Sequence, residues 1–145
     1  MSGLVYYYTG TPLTVTTSNT DPGGLGPLGA SASSARPDMI GNPNDGAQHT
    51  VASFFNTAAF VATPVDADRP GNAGRGAVTG PSFQRWDFSL FTNTKLHGEH
   101  MYLQFRAETF NLFNHTNFAA VTTSFISASF GKVTTANDPR IMQLG

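Results

Sequence analysis

Two stretches of the chain alternate strictly between apolar and polar positions. Across 101–110, Met101, Leu103, Phe105, Ala107 and Thr109 fall on one face, and Tyr102, Gln104, Arg106, Glu108 and Phe110 on the other. Across 86–94, Trp86, Phe88, Leu90 and Thr92 oppose Asp87, Ser89, Phe91 and Asn93 in the same way. A period of two means a strand whose sides meet different surroundings. Both runs match the roughly 9–11 residues that a tilted strand needs to cross a bilayer. The segment between them, Lys95-Leu-His-Gly-Glu-His100, is short enough to close them into an antiparallel hairpin. The charges of the pair (Asp87, Arg106, Glu108) all lie on one face, which suits a wall with a polar inside and a lipid-facing outside. An ordinary antiparallel sandwich also alternates, so the period alone leaves both readings open.

Two further strands are expected. Leu4 to Tyr8 is dense in β-formers, and Leu13-Thr-Val-Thr-Thr17 continues it beyond Gly10-Thr-Pro12. This gives a strand over about 3–17, interrupted near Pro12, which cannot donate to a ladder. Arg140-Ile-Met-Gln-Leu-Gly145 begins the last strand, at 140–145. The segments between, 18–85 and 111–139, read as long irregular loops. The first carries Asp21-Pro-Gly-Gly, Gly41-Asn-Pro-Asn-Asp-Gly46 and Arg69-Pro-Gly in close succession, all turn chemistry. Within it only Val51-Ala-Ser-Phe-Phe-Asn-Thr-Ala-Ala-Phe60 is apolar enough for a short helical turn or packed anchor. Long loops at one end and a six-residue connection at the other match outer-membrane barrels, and a structureless loop of this length counts against a simple sandwich.

Composition narrows the function. Only 12% of residues are charged and the formal net charge is -1, so no basic stripe is available for a nucleic acid. With no cysteine there is neither a disulfide framework nor a thiolate metal site. The start, Met1-Ser-Gly-Leu-Val-Tyr-Tyr-Tyr, has no cationic and apolar export signal. The chain is therefore expected to be either cytosolic or an interior piece of a longer protein.

Candidate chemistry is sparse. His97-Gly-Glu-His100 lacks the helical two-histidine spacing of a zinc protease and a fixed third ligand. Asp66-Ala-Asp68-Arg-Pro-Gly71 has Pro70 where a calcium loop needs oxygen. No Gly-x-Ser-x-Gly elbow occurs. Asp87 and Glu108 form a carboxylate pair, but Arg106 nearby makes a charge network the better reading. No catalytic residue, cofactor or metal is assigned, and no enzymatic activity is expected.

A series of motifs, in order along the chain, resembles the C-terminal end of TonB-dependent outer-membrane receptors of the Oar-like group that carries a carboxypeptidase regulatory domain. The matching stretches are Tyr8-Thr-Gly-Thr-Pro-Leu-Thr-Val15, Phe55-Asn-Thr-Ala-Ala-Phe60, Gly71-Asn-Ala-Gly-Arg75 and Trp86-Asp-Phe-Ser-Leu-Phe91. They continue with Leu103-Gln-Phe-Arg-Ala-Glu-Thr-Phe-Asn-Leu-Phe-Asn-His115, Asn117-Phe118, Phe130-Gly131 and Asp138-Pro-Arg-Ile-Met-Gln-Leu-Gly145. Family members continue past the final glycine to a terminal aromatic. Upstream they carry a signal peptide, a TonB-contacting segment, a plug and most of the wall. The resemblance thus implies a fragment: an all-β chain whose 145 residues are antiparallel strands from the C-terminal end of a transmembrane β-barrel. About four strands make an incomplete barrel, since closure takes at least about eight.

In that topology the 95–100 turn is periplasmic and the two long loops face outward. Asp87, Gln104, Arg106 and Glu108 would face the lumen, and Phe113, Asn114, His115 and Phe118 would be loop contacts for solute. Pairing about the turn would set Leu90 beside Phe105, with Asp87 and Arg106 as diagonal neighbours in reach of a salt bridge. The implied role is wall and extracellular loops of a solute transporter in the cell outer membrane. Its partners would be outer-membrane lipid, the remainder of the barrel and the plug, with the TonB system engaged only through regions outside this chain. Two alternatives stay open: a surface or adhesion barrel without transport, and a soluble β-domain that binds a ligand.

Overall fold

A computed structural model describes residues 1–17, 35–64, 67, 69–96 and 101–145. The chain divides into two compact units, one formed by residues 1–9, 82–117 and 137–145, the other by 10–81 and 118–136. Among the described residues no helix is long and apolar enough to cross a membrane. Among the described residues every strand pairing is antiparallel, and one isolated parallel bridge joins Thr16 and Ser124.

The first unit is a four-stranded meander. Strands β1 (Ser2–Tyr8), β6 (Phe83–Lys95), β7 (Tyr102–Phe110) and β10 (Ile141–Leu144) lie side by side in that order. Strands numbered between them belong to the second unit. The Leu96 N–H donates to the Met101 carbonyl (3.1 Å) and closes the β6–β7 hairpin. The sheet is open: β1 and β10 are its edges, and the described residues give neither a further partner.

The register differs from the expected one by two residues. Leu90 is opposite Ala107 rather than Phe105, and Phe105 is opposite Thr92. Since side chains alternate with period two, a slip of two leaves every face assignment intact, whereas a slip of one would invert it. It does separate the expected charge pair: Arg106 is opposite Phe91, and Asp87 pairs along its own strand instead.

The second unit is where the two long loops fold. Its pairings are short: β2 (Pro12–Leu13) with β5 (Val78–Thr79), β3 (Asp38–Met39) with β4 (Phe60–Val61), and β8 (Phe118–Val121) with β9 (Val133–Ala136). A 3-10 turn spans Thr57–Ala59, and Asn56 caps it by accepting the Ala58 N–H (3.1 Å).

Apolar packing does most of the work here. Phe55 is 1% exposed and sits edge-on to Phe60 (6.0 Å between centroids) and Phe130 (5.3 Å). Phe125 and Phe118 extend the cluster onto Phe130 and Phe54. Edge-to-face pairs at such spacings contribute roughly 0.5–1.5 kcal/mol each beyond area burial. Residues far apart in sequence thus form one core, and backbone bonds tie them further: Phe54 N–H to Gly131 carbonyl (2.8 Å) and Val133 N–H to Val51 carbonyl (2.9 Å).

Two features fix this unit's frame. The chain enters and leaves it at Gly10 and Gly80, whose backbones approach so closely that a Cβ on Gly10 would strike the Gly80 carbonyl. Asp38 is buried and takes a two-pronged ion pair from Arg69 (Nη1–Oδ1 2.7 Å, Nη2–Oδ2 2.8 Å), with the Asn72 N–H on Oδ1 (3.0 Å). The guanidinium and the amide hold the Asp38 carboxyl below its ordinary value, burial opposing them.

The expected strand over 3–17 is therefore two strands in different units, broken at Gly10-Thr-Pro12. The expected 86–94 strand runs further at both ends, as β6, while 101–110 and 140–145 correspond to β7 and β10. Segments 18–85 and 111–139 are not loop throughout: they hold β3, β4, β5, β8, β9 and the start of β6.

Candidate functional site: the two faces of the wall and their loop end

Pairing fixes which side chains share a face. On one face lie Val5 and Tyr7 of β1, Trp86, Phe88 and Leu90 of β6, Leu103, Phe105 and Ala107 of β7, and Met142 and Leu144 of β10. All but Ala107 are exposed, and no charged residue of the four strands is among them. The opposite face carries all of the sheet's charges: Arg85, Asp87, Lys95, Arg106 and Glu108.

Asp87, Gln104, Arg106 and Glu108 thus share one face, Gln104 opposite Asn93 and Glu108 opposite Ser89. The charges pair along strands at i, i+2: Arg85 Nε to Asp87 Oδ1 and Arg106 Nη2 to Glu108 Oε1, each 2.7 Å. Arg85 also lies over the Phe110 ring (5.4 Å), and the Lys95 ammonium over Tyr102 (5.9 Å). A face so paired is polar yet nearly charge-balanced. Exposed apolar residues over one whole face of a four-stranded sheet far exceed what a monomer in water ordinarily shows.

A family model described as outer membrane beta barrel domain matches residues 1–143. The chain belongs to that family. No match was found among curated proteins or among solved structures. In an outer membrane beta barrel domain an uncharged face beside a charged one is the expected division of a wall strand.

The sheet's loop end, where β1 stops and β6 starts, is the most elaborate polar construction in this barrel-family wall. β6 outruns β7 there, and its backbone needs other partners. Asn117, 2% exposed, supplies them: its Oδ1 accepts the Gln84 N–H (2.8 Å) and its Nδ2 donates to the Gln84 carbonyl (2.8 Å). The Leu112 N–H donates to the Trp86 carbonyl (2.7 Å), and Asp87 Oδ1 accepts the Asn111 N–H (3.0 Å). Asn111, 4% exposed, closes the turn by accepting the His115 N–H and donating to the His115 carbonyl (3.0 Å each).

Of the four loop residues singled out from sequence, Phe113, Asn114 and His115 are exposed and Phe118 is half-buried, and each has a partner of its own. Phe113 is 68% exposed and sits edge-on to Trp86 at 5.7 Å, a residue of the uncharged face. Asn114 Oδ1 accepts the Arg140 N–H (3.0 Å). The His115 ring Nδ1 lies 3.2 Å from Asn117 Oδ1. Phe118 sits edge-on to Phe54 inside the second unit's packing.

His97 and His100, with the turn that holds them, lie outside the described residues, as do Asp66 and Asp68. Among the described residues no group of metal-ligating side chains gathers. Sequence reasoning missed Asn111, Asn117 and the Asp38–Arg69 clamp. A signal for the first two is present in the run Asn111, Asn114, Asn117: asparagine tolerates positive φ and bonds nearby backbone. Asn111 and Asn114 have φ of 55° and 52°.

Proposed function

We propose that this chain supplies part of the wall and outer loops of a TonB-dependent outer-membrane transporter that takes a bulky solute across the outer membrane. The observation that carries the reading is the sorting of the sheet into a charge-free apolar face and a face holding every sheet charge. The first would meet lipid and the second the lumen, with Asp87, Gln104, Arg106 and Glu108 lining it. The series of motifs from Tyr8 to Gly145 supports the TonB-dependent identity. In this reading the partners are outer-membrane lipid, further wall strands and a plug elsewhere in the complete protein. TonB acts through those other regions, and the chain performs no catalysis and binds no nucleic acid.

The self-contained core of the loop unit favours a second reading, an adhesion barrel that displays its loops without transport. Deleting the gene and, separately, the TonB gene discriminates the two. Transport predicts that the same solutes stay behind in the medium in both strains. A deletion that leaves solute uptake intact and abolishes attachment to cells or matrix transfers the assignment to adhesion.

A further inference from the structure

At the loop end of the uncharged face two aromatic side chains meet, and a third stands one register step away. Trp86 is 45% exposed on that face, and Phe113 stands edge-on against it. Tyr7, opposite Gln84, lies diagonally beside Trp86 on the same face. Phe113 is not there by default of a floppy loop. Its turn uses positive φ at Asn111 and Asn114, and Leu112 is bonded to the Trp86 carbonyl. Non-glycine residues at positive φ are uncommon, so two of them flanking Phe113 mark a turn held in one shape. That shape leaves a phenyl ring two-thirds exposed, an arrangement unfavourable in water and favourable at a membrane interface, where aromatic belts collect.

Arg140 completes the group. It immediately precedes β10, at the loop end of the sheet. Its N–H is fixed on Asn114, and its Nη1 approaches the Leu112 carbonyl at 3.5 Å, beside Phe113. No carboxylate among the described residues pairs with it. Most of the guanidinium's five donors are therefore unspent. An arginine with no carboxylate partner among the described residues, bonded to the turn that carries Phe113 at the loop end of the sheet, matches a phosphate above an acyl chain in charge and in polarity.

We propose that Trp86, Phe113 and Arg140 form a seat for a phosphate-bearing lipid headgroup of the outer leaflet. Arg140 takes the phosphate in fork geometry, and the Trp86–Phe113 pair packs against the first part of the acyl chains. The seat sets the depth at which this side of the barrel rides in the membrane. It rests on the reading of the uncharged face as the lipid face.

The test is photo-crosslinking in native outer membranes, with benzoylphenylalanine placed in the full-length protein at Phe113, at Phe105 or at Gln104. Phe105 reports mid-face lipid contact and Gln104 the opposite face. The expected result is an adduct with phosphate-bearing lipid at Phe113 and any lipid adduct at Phe105, with none at Gln104. Arg140→Gln should lower the Phe113 adduct about fivefold, the worth of one cation near an anionic surface, and leave the Phe105 adduct unchanged. Arg140→Lys should recover most of the yield. Lipid adducts at Phe105 with only protein adducts, or none, at Phe113 overturn the seat while the lipid face stands. A Phe113 yield indifferent to Arg140→Gln does the same. Lipid at Gln104 and none at Phe105 overturns both.

Discussion

Asn117 does for Gln84 what a neighbouring strand does elsewhere in the sheet, receiving the N–H and donating to the carbonyl with one amide group. Such a substitute strand is needed because β7 ends before β6 does, and buried backbone groups left unpaired are costly. Asn117→Ala should therefore cost about 2–3 kcal/mol by lost and orphaned hydrogen bonds. Amide hydrogen exchange at Gln84 should rise selectively; exchange there as slow as in the parent would refute the clamp. Asn117→Asp keeps the acceptor and loses the donor, so it should weaken the clamp while retaining part of it.

The second residue-scale device is the Asp38–Arg69 pair. Asp38 has its folded carboxyl held below its ordinary value of 3.8, first by the Arg69 hydrogen bonds. A depressed carboxyl contributes stability that is fully present above the unfolded value and disappears as pH falls through the folded one. The stability gap between the parent and Asp38→Asn, followed by denaturant midpoint, should be constant above about pH 5 and shrink as pH drops below about 4. A gap that widens on acidification would contradict the assignment. Neither this clamp nor Asn117 was legible in the sequence. Arg36-Pro-Asp and Arg69-Pro-Gly both read as turns, and nothing local says that Asp38 and Arg69 meet, thirty-one positions apart. The asparagine run did carry a turn signal, but its target, the backbone of Gln84, lies 33 positions away.

Among the elements, the hairpin was the legible part. Alternation over 86–94 and 101–110 is a local property, and for 86–94 and 102–110 it gives the faces that pairing shows. The pairing itself was not legible, since a shift of two conserves the pattern; the ladder from Phe88–Thr109 to Lys95–Tyr102, closed by the Leu96–Met101 bond, shows it. The loops were opaque for the opposite reason. Phe55 reads as one aromatic in a turn-rich stretch until Phe130 closes on it from the other loop.

Phe55→Ala, at a site 1% exposed, should cost about 3–5 kcal/mol and open the second unit to protease. Should the loops of that variant resist protease as well as the parent's, the aromatic core is not what holds them. In a full barrel, Leu103→Arg should destabilise by about 2–4 kcal/mol near mid-membrane and less toward either rim. Arg106→Leu, on the charged face and half-open to solvent, should cost far less. Folding titrations in lipid vesicles read both, and the reverse ranking would show that the faces have been exchanged.

In the molecule as a whole, wall and loops are separate units with separate tasks. The wall's open edges, β1 and β10, need further strands before the sheet can close, and unpaired edges invite association. The loop unit owns its core and its ion pair, so damage to Phe55 should leave the β6–β7 register untouched. Membership of the outer membrane beta barrel domain family makes the charge-free face the side expected to meet lipid. Everything else proposed here, from lumen lining to the lipid seat, inherits that orientation.

The direct check uses the absence of cysteine from the chain, which makes each introduced thiol unique within it. Single cysteines at Leu103, Gln104, Phe105 and Arg106, in the full-length protein in intact outer membranes, are exposed in parallel to a membrane-impermeant and a lipid-soluble maleimide. The account predicts alternation: positions 104 and 106 react with the water-borne reagent, and 103 and 105 only with the lipid-soluble one. The same alternation with the reagents exchanged, or uniform labelling of all four by the water-borne reagent, would contradict it.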